Sequence, residues 1–197
     1  MTLLTPEQAT AIFVESGALL DGHFVLTSGR HSDRYFEKFH VLRSPGHVAR
    51  LCADLAERIA PFRPDVVMGP TTLGILLAYE VAKQLGVPAA YAEQGEAGRR
   101  RLRRPEHLPE GSRVAVVDDI LTTGGSIREC LELCAERGAT PVVAGVLVDR
   151  TDGAAAGVLG LPLVACLSMS VQSWEPGEIP DWLAARPVER PGSTGKR

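Results

Sequence analysis

From residue 65 onward, short apolar runs alternate with segments that have helical periodicity. The runs Asp65–Met68, Val87–Ala92 and Val114–Val117 are each about as long as one buried strand. Strands that are apolar on both sides and are separated by helices indicate a parallel sheet covered on both faces. Ligands of such sheets bind beyond the carboxyl ends of the strands. We therefore predict an α/β fold whose functional residues follow its strands.

The other predicted elements are a helical N-terminus and further helices around the sheet. Thr5 and Gln8 have the spacing of a capping box, which predicts a helix start, and a second helix is predicted from Ser44. Residues 22–38 mix aromatic, glycine and charged residues and are predicted to form short strands and turns. The later predicted elements are helices Leu73–Leu85 and Ser126–Arg137 and strands Pro141–Val148 and Leu161–Leu167.

The chain length of 197 residues is that of one domain. We assign residues 1–185 to this domain, with a helix and a small hood in 1–43 and the core in 44–170. Residues 186–197 are rich in proline, glycine and charge, and we predict that they form a disordered tail.

Composition and charge narrow the class of protein. A formal net charge of -3 argues against a surface that binds nucleic acid or anionic membrane throughout. No apolar run approaches the ~20 residues of a membrane-spanning helix, and the first ten residues lack the pattern of a signal peptide. The cysteines have no CxxC spacing and are predicted to be reduced core residues: Cys52, Cys130, Cys134 and Cys166. We expect a cytoplasmic protein.

The segment from Val114 to Ser126 has the strongest chemical pattern. A buried strand runs into Asp118 and Asp119, and paired carboxylates facing a cleft are costly unless they bind hydroxyls, a cation or a developing positive charge. The following turn offers hydroxyls and closely spaced amides at a helix N-terminus, which suit a phosphate. Ser126 and Glu129 are predicted to form a capping box. The residues of the turn are Thr122, Thr123, Gly124, Gly125 and Ser126.

A strand, a polar turn and a capped helix can also occur without a ligand, but the whole string is far more specific than its glycines. It lacks the GxxxxGK[ST] of a Walker A loop, and its carboxylates precede the glycines, unlike a dinucleotide fingerprint. VAVVDDILTTGGS closely resembles the phosphoribosyl-pyrophosphate signature of type I phosphoribosyltransferases. The resemblance implies a mostly parallel central sheet flanked by helices, with a hood and a mobile loop. It also implies that Asp118 and Asp119 hold the ribose hydroxyls and that the turn wraps the 5-phosphate.

The stretch from residue 22 to 38, with Phe-x-Leu-x-Ser-Gly and paired aromatics, resembles the orotate phosphoribosyltransferases. The resemblance implies that Tyr35 and Phe36 line the base, although they can also be hood core. Many family members carry lysine where this chain has Thr27 and where it has Leu73, and both differences remove positive charge near the pyrophosphate.

Two further turns match the family by position. Pro70, Thr71 and Thr72 stand where the family binds pyrophosphate through backbone amides, although an ordinary turn fits there too. Arg150 follows the strand Pro141–Val148, where an arginine of orotate enzymes pairs with the orotate carboxylate. A surface pair with Asp149 is the alternative, and Asp149 could also hold the guanidinium in place. The next candidates for reading the carboxylate are Arg30, Arg34 and Lys38.

The arginine loop, Glu93–Pro109, stands at the place of the family's mobile loop. Its basic run can be a nucleic-acid patch, as in RNA-binding regulators of pyrimidine genes that share the fold. It can also be a lid over an anionic substrate, which we favour because the rest of the chain is acidic. We expect Arg99 and Arg100 to be the catalytic residues of this lid.

Together the resemblances imply a transferase that makes orotidine 5-phosphate and pyrophosphate from orotate and 5-phosphoribosyl 1-pyrophosphate. Mg²⁺ is expected to be held mainly by substrate oxygens rather than by protein ligands. A homodimer is expected because the family's loop serves the neighbouring subunit's site. Neither a membrane nor a nucleic acid is an expected partner. The alternatives are transfer to a purine base and an RNA-binding regulator that keeps the nucleotide pocket as a sensor.

Overall fold

The computed structural model describes residues 3–26, 28–95 and 99–191. Seven α-helices lie within these ranges: α1 Pro6–Glu15, α2 Lys38–Leu42, α3 Pro45–Ile59, α4 Leu73–Leu85, α5 Gly125–Glu136, α6 Ala155–Leu159 and α7 Asp181–Ala184. The same ranges contain ten strands: β1 Leu19–Val25, β2 His31–Phe36, β3 Val66–Pro70, β4 Ala89–Gln94, β5 Arg100–Arg101, β6 Arg113–Leu121, β7 Thr140–Asp149, β8 Leu163–Ser168, β9 Ser173–Trp174 and β10 Val188–Glu189.

The predicted α/β architecture is confirmed by a six-stranded sheet with the order β5-β4-β3-β6-β7-β8. All its neighbouring strands are parallel except β5, which is antiparallel to β4. Successive residues of a strand face opposite sides of the sheet. Val67 therefore packs with α1, α3 and α4, whereas Val66 and Met68 pack with α5 and α6. This two-sided burial explains why the strands are apolar without alternation.

Strand β6 is longer than predicted. The apolar run indicated an end at Val117, but β6 continues to Leu121, where it still pairs with Asp149 of β7. Asp118 and Asp119 therefore lie within β6, near its carboxyl end, rather than after the strand. Carboxylates are tolerated there because this end of the sheet opens into the cleft described below. Apolar periodicity does not detect a strand that continues through charged residues such as Asp118 and Asp119.

A second sheet forms the predicted hood and has the order β10-β1-β2-β9. It begins as the predicted hairpin of β1 and β2, but two strands from the C-terminal region complete it. Arg186 is bound to Asp21 at 2.7 Å, and Val188 pairs with His23. The tail predicted from residue 186 thus contains a paired strand, which is too short to leave a periodic pattern. Residues 192–197 lie outside the described residues.

The predicted helix caps have different outcomes. The Thr5 capping box is confirmed, because the Gln8 amide donates to the Thr5 hydroxyl and the Thr5 amide donates to the Gln8 side chain. The capping box predicted at Ser126 is wrong. Helix α5 begins at Gly125 after Gly124, which has a left-handed φ of 75° and makes no side-chain cap. The Ser126 hydroxyl instead faces an arginine of the cleft.

Two predictions from composition can also be compared with the structure. The four cysteines are free and buried, as predicted for reduced core thiols. Within the described ranges, no helix combines the length and the apolar character that crossing a bilayer requires.

Candidate functional site

The carboxyl ends of β3, β6 and β7 meet at one edge of the sheet, as is usual for ligand sites of parallel sheets. This edge brings together predicted site residues that are up to 80 positions apart in the chain, Pro70 and Arg150 being the outermost. Between them lie the carboxylates of β6 and the turn that leads into α5. The residues that the sequence singles out as candidates therefore gather at the carboxyl ends of the strands, where they were expected to lie.

The carboxylate pair is held in place by short contacts. Asp119 is only 6% exposed, and its two oxygens accept a hydrogen bond from the Ile120 amide at 2.6 Å and face the Lys38 ammonium at 3.0 Å. One oxygen of Asp118 accepts a hydrogen bond from the Asp119 amide at 2.9 Å. Burial first, and then the charge of Asp119, raise the pKa of Asp118 to about 7, although Lys38 and Arg100 act to lower it.

The turn from Thr122 to Ser126 lines an open cavity of about 60 Å³ together with Asp118 and Ile120. Gly124 needs its positive φ to start α5, and a Cβ there would also come within 3.3 Å of Leu159. The first amides of a helix have no intrahelical acceptor and carry the positive end of its dipole. This turn therefore offers hydroxyls and amides to an anion, directly beside the carboxylate pair.

The turn after β3 is tightly folded. A Cβ at Gly69 would lie 2.1 Å from the carbonyl oxygen of Gly74, and a Cβ at Gly74 would lie 2.6 Å from the Pro70 ring. Only glycine at both positions lets the strand and the start of α4 approach this closely. Thr71 and Thr72 lie in this turn, at the same edge as the carboxylates.

Arg100 of the arginine loop lies between these two turns. Its guanidinium donates hydrogen bonds to the carbonyl and hydroxyl oxygens of Thr71 at 2.9 and 3.1 Å, and to the Ser126 hydroxyl at 3.5 Å. Its Nε atom is 3.1 Å from a carboxylate oxygen of Glu129. That approach is an ion pair rather than a hydrogen bond, because Nε has no aligned acceptor among the described residues. The Arg100 side chain is only 11% exposed.

The rest of the arginine loop lies closer to the surface. Arg99 is exposed, whereas Arg103 and Arg104 pair with Glu93 at 3.4 and 3.6 Å. The Arg104 guanidinium also lies 5.8 Å from the centre of the Tyr91 ring. Strand β5 of the loop pairs with β4 at the edge of the sheet. Because the arginines have different partners and exposures, they do not form a uniform charged patch. Residues 96–98 of the loop lie outside the described residues.

The hood aromatics do not share one face. Phe36 is buried and packs edge to face on Phe13, with ring centres 5.9 Å apart, while Tyr35 packs on Phe24 at 5.6 Å. Adjacent residues of a strand point to opposite sides, which explains why the two rings separate. Only Phe36 reaches the small apolar space that Asp119 also lines. Thr27, the third residue predicted here, lies outside the described residues.

Arg150 follows β7, and its backbone amide donates to the Leu121 carbonyl at 3.0 Å. Its Nε atom is buried, and no described residue accepts a hydrogen bond from it. Burial lowers the pKa of Arg150. The prediction that Asp149 holds the guanidinium is wrong. Asp149 instead accepts hydrogen bonds from the amide and hydroxyl of Thr151 and from the amide of Gly153, at 2.7 to 2.8 Å, because these donors close the turn after β7.

Comparisons with known proteins agree with this geometry. The sequence profile of the phosphoribosyl transferase domain matches residues 40–157. The orotate phosphoribosyltransferase of Pelotomaculum thermopropionicum is 45% identical over 190 residues, which cover 96% of this chain and 98% of that protein. The chain belongs to the orotate phosphoribosyltransferase family. The orotate phosphoribosyltransferase of Desulforamulus reducens is 43% identical over 187 residues, or 95% of this chain and 96% of the relative.

A solved orotate phosphoribosyltransferase also has this fold. The crystal structure of the enzyme from Aeropyrum pernix matches with a TM-score of 0.68 at 32% identity, covering 82% of this chain and 93% of that one. The type I phosphoribosyltransferase fold predicted from VAVVDDILTTGGS is thus confirmed.

Sequence reasoning missed the contacts of two residues at this orotate phosphoribosyltransferase site. Lys38 was only a secondary candidate for binding a carboxylate, and Glu129 was interpreted as part of a helix cap. The structure places Lys38 on Asp119 and Glu129 on Arg100. No local pattern indicates either pair, because each joins separate elements of the fold. Among the residues that the structure describes, no three metal-ligating side chains are grouped so that they could hold an ion.

Proposed function

We propose that this chain transfers the 5-phosphoribosyl group of 5-phosphoribosyl 1-pyrophosphate to orotate, giving orotidine 5-phosphate and pyrophosphate. One arrangement carries the proposal. The Asp118–Asp119 pair, the turn before α5 and the Arg150 guanidinium, whose Nε atom is buried, lie at the carboxyl ends of neighbouring strands. The two relatives with 45% and 43% identity bear the name of this enzyme. The transfer belongs to pyrimidine nucleotide synthesis.

The donor is proposed to bind along the two turns. The 5-phosphate takes the hydroxyls and amides of the turn from Thr122 to Ser126, and the pyrophosphate takes the amides of the turn at Thr71. Arg100 already contacts both turns, so a guanidinium at this position can bind the donor from between them. Mg²⁺ is proposed to be held by water and by the pyrophosphate oxygens of the donor. The cation is then part of the substrate.

The chemical step breaks the bond from ribose C1 to a pyrophosphate oxygen and forms a bond from C1 to N1 of orotate. The N1–H bond of orotate breaks as well, and its proton passes to the departing pyrophosphate or to water. The electrons of the bond from C1 to oxygen leave with the pyrophosphate, so positive charge develops on the ribose ring. Asp118 and Asp119 are proposed to accept hydrogen bonds from the ribose hydroxyls and to stabilise that charge electrostatically. Such carboxylates act without moving, because Asp119 is held by Ile120 and Lys38.

Orotate is proposed to be recognised by its carboxylate. The buried Nε of Arg150 has no acceptor among the described residues, and a planar guanidinium can bind a carboxylate through two parallel hydrogen bonds. Phe36 is proposed to border the base, since it lies near Asp119, and Tyr35 and Thr27 remain proposed base-binding residues of the hood.

A homodimer is part of the proposal. Leu76 and Tyr79 of α4 are 52% and 67% exposed, and residues three apart share one face of a helix. Large exposed side chains that are grouped in this way are typical of an interaction surface, and α4 begins directly after the pyrophosphate turn. We propose that a second copy of this chain covers this face and that the exposed Arg99 serves the neighbouring site. The free thiols agree with a reducing compartment such as the cytoplasm.

A panel of acceptors tests the proposed function. The purified chain is incubated with 5-phosphoribosyl 1-pyrophosphate, Mg²⁺ and one base at a time, and the nucleotide product is separated and measured. Orotate should give orotidine 5-phosphate, whereas uracil, adenine and xanthine should give little product. Product from adenine or xanthine alone would support the purine alternative. No product from any base, together with tight binding of a pyrimidine-operon RNA, would support the regulator.

A further inference from the structure

Lys38 connects the hood to the carboxylate pair. It is the first residue of α2, which follows hood strand β2 after one residue, and its Nζ lies 3.0 Å from Oδ2 of Asp119. The lysine side chain is 44% exposed, whereas that of Asp119 is 8% exposed. A buried carboxylate needs a paired charge or several donors to remain ionised. Lys38 supplies that charge from a position directly after β2, the strand that carries Tyr35 and Phe36.

The contact fixes the orientation of the carboxylate as well as its charge. Oδ1 of Asp119 accepts from the Ile120 amide at 2.6 Å, so Lys38 and Ile120 hold one oxygen each. A carboxylate that is held at both oxygens cannot rotate freely about its last bond, and its remaining lone pairs point in fixed directions. Lys38, Phe36 and Asp119 all line one small apolar space. Movement of the hood would therefore move the ammonium relative to Asp119.

We propose that Lys38 is a positioning residue for the transfer, which orients Asp119 toward the ribose and couples that orientation to the seating of the hood. The inference deepens the proposed function and rests on it, because it requires that Asp119 bind the ribose hydroxyls. It assigns to Lys38 a role through Asp119 rather than a contact with the orotate carboxylate.

The electrostatic consequence extends to Asp118. The charged and titratable groups that face it are Asp119 on its own strand, Lys38 on α2, Arg100 on β5 and the Cys130 thiol on α5. Lys38 and Arg100 lower the pKa of Asp118, so removal of Lys38 should raise that pKa further above its ordinary value. At a fixed pH near neutrality, more of the Asp118 population would then be protonated and unable to stabilise positive charge.

The test compares Lys38→Met and Lys38→Arg with the parent across a pH series of kcat/KM for the donor. Lys38→Met should lower kcat by about tenfold to a hundredfold at neutral pH, the usual range for loss of a charge-assisted contact. Its acid limb should move to higher pH, because kcat/KM reports the groups of the free enzyme. Lys38→Arg keeps the charge and should recover most of the rate and the parent's acid limb. Arg50→Met, which removes an exposed cation of α3, should follow the parent at every pH.

The outcomes are distinguishable. A parent without phosphoribosyl transfer overturns the proposed function and this inference with it. An active parent whose Lys38→Met variant keeps the parent's rate and acid limb overturns the inference alone. A rate that falls equally at every pH and is not recovered by Lys38→Arg would indicate a merely structural role, and it would overturn the inference as well. Should Lys38→Met fail to fold, an acid limb of Lys38→Arg displaced to higher pH would still contradict it.

Discussion

Arg100 donates hydrogen bonds to both oxygens of Thr71, at 2.9 and 3.1 Å, and so joins the arginine loop to the turn after β3 of its own chain. This contact separates Arg100 from its neighbours in sequence. Arg99 and Arg101 are exposed, whereas the Arg100 side chain is only 11% exposed and lies between the two turns that are proposed to bind anions. One arginine of the run is therefore built into the site, and the charge of the others faces solvent or Glu93.

Replacement of Arg100 should weaken binding of the donor. Arg100→Met removes the guanidinium that touches Thr71 and Ser126, and we expect the donor KM to rise and kcat to fall, with kcat/KM reduced by about a hundredfold. Initial rates at varied donor concentration measure both constants. Arg101→Met changes the adjacent exposed arginine and should leave them near the parent values. Equal losses in the two variants would indicate a diffuse effect of loop charge.

Glu129 should oppose binding of the donor. Its carboxylate pairs with Arg100 at 3.1 Å and adds negative charge one turn into α5, close to the helix start where the 5-phosphate is proposed to bind. Glu129→Gln should therefore lower the Kd of the donor severalfold, as measured by calorimetry with the donor and Mg²⁺. Glu132→Gln removes an exposed charge one turn later in the helix and should have a smaller effect. A weaker donor affinity in Glu129→Gln would mean that Glu129 positions Arg100 productively.

Asp118→Asn should lower turnover and raise the free energy of unfolding. Turnover should fall about a hundredfold, since one preorganised electrostatic contact is worth ~3 kcal/mol. The pKa of Asp118 is raised to about 7 in the fold, so the folded state binds more protons than the unfolded chain between the unfolded pKa and about 7. The parent therefore loses stability as pH rises through that window, and the loss levels off above it.

The variant lacks this ionisation, so its gain in stability is expected above pH 7. Asp118→Asn should there have a free energy of unfolding higher by on the order of 1–3 kcal/mol, with the gain vanishing toward pH 4. Urea unfolding at the two pH values measures it. Asp119→Asn should lower turnover similarly but leave Lys38 without its carboxylate partner, so no comparable gain is expected. A free energy of unfolding that is lower for Asp118→Asn than for the parent above pH 7 would contradict the claim that the ionised, buried Asp118 carboxylate destabilises the fold.

The exposed face of α4 should hold the proposed homodimer together. Tyr79→Glu places a charge on this face, and sedimentation should show a shift from dimer toward monomer at micromolar concentration. Val14→Glu places the same charge on an exposed position of α1 and should leave the mass unchanged. A parent that sediments as a monomer would refute the dimer directly.

The sequence was most informative where apolar periodicity and local chemistry agree. The buried runs of β3, β6 and β7 predicted the parallel sheet, and that sheet in turn predicted that Asp118, the turn before α5 and Arg150 would lie at one edge. Local pattern failed where a side chain has a partner far away in sequence. Ser126 matched a capping box, but Gly124 already sets the helix start and the hydroxyl faces Arg100.

Long-range contacts explain the remaining differences. Asp149 was a possible partner of Arg150 because the two are adjacent, but it accepts hydrogen bonds from the amides of Thr151 and Gly153 in the following turn instead. Strand β10 could not be predicted, because two residues carry no periodicity and its partner β1 lies more than 160 positions earlier. The pair of Lys38 and Asp119 likewise depends on how the hood packs on the sheet. No local sequence pattern predicts that packing.

The central claim is that Arg150 selects orotate at a phosphoribosyl-transfer site. Orotate and uracil differ in the carboxylate that the Arg150 guanidinium, with its buried Nε atom, is proposed to bind. The most direct measurement is kcat/KM for both bases in the parent, Arg150→Ala and Arg150→Lys, with donor and Mg²⁺ saturating. The parent should strongly prefer orotate, Arg150→Ala should lose about 2–3 kcal/mol of that preference, and Arg150→Lys should recover only part of it. The donor KM should hardly change. An unchanged preference for orotate in Arg150→Ala, or a parent that does not use orotate, would contradict the claim.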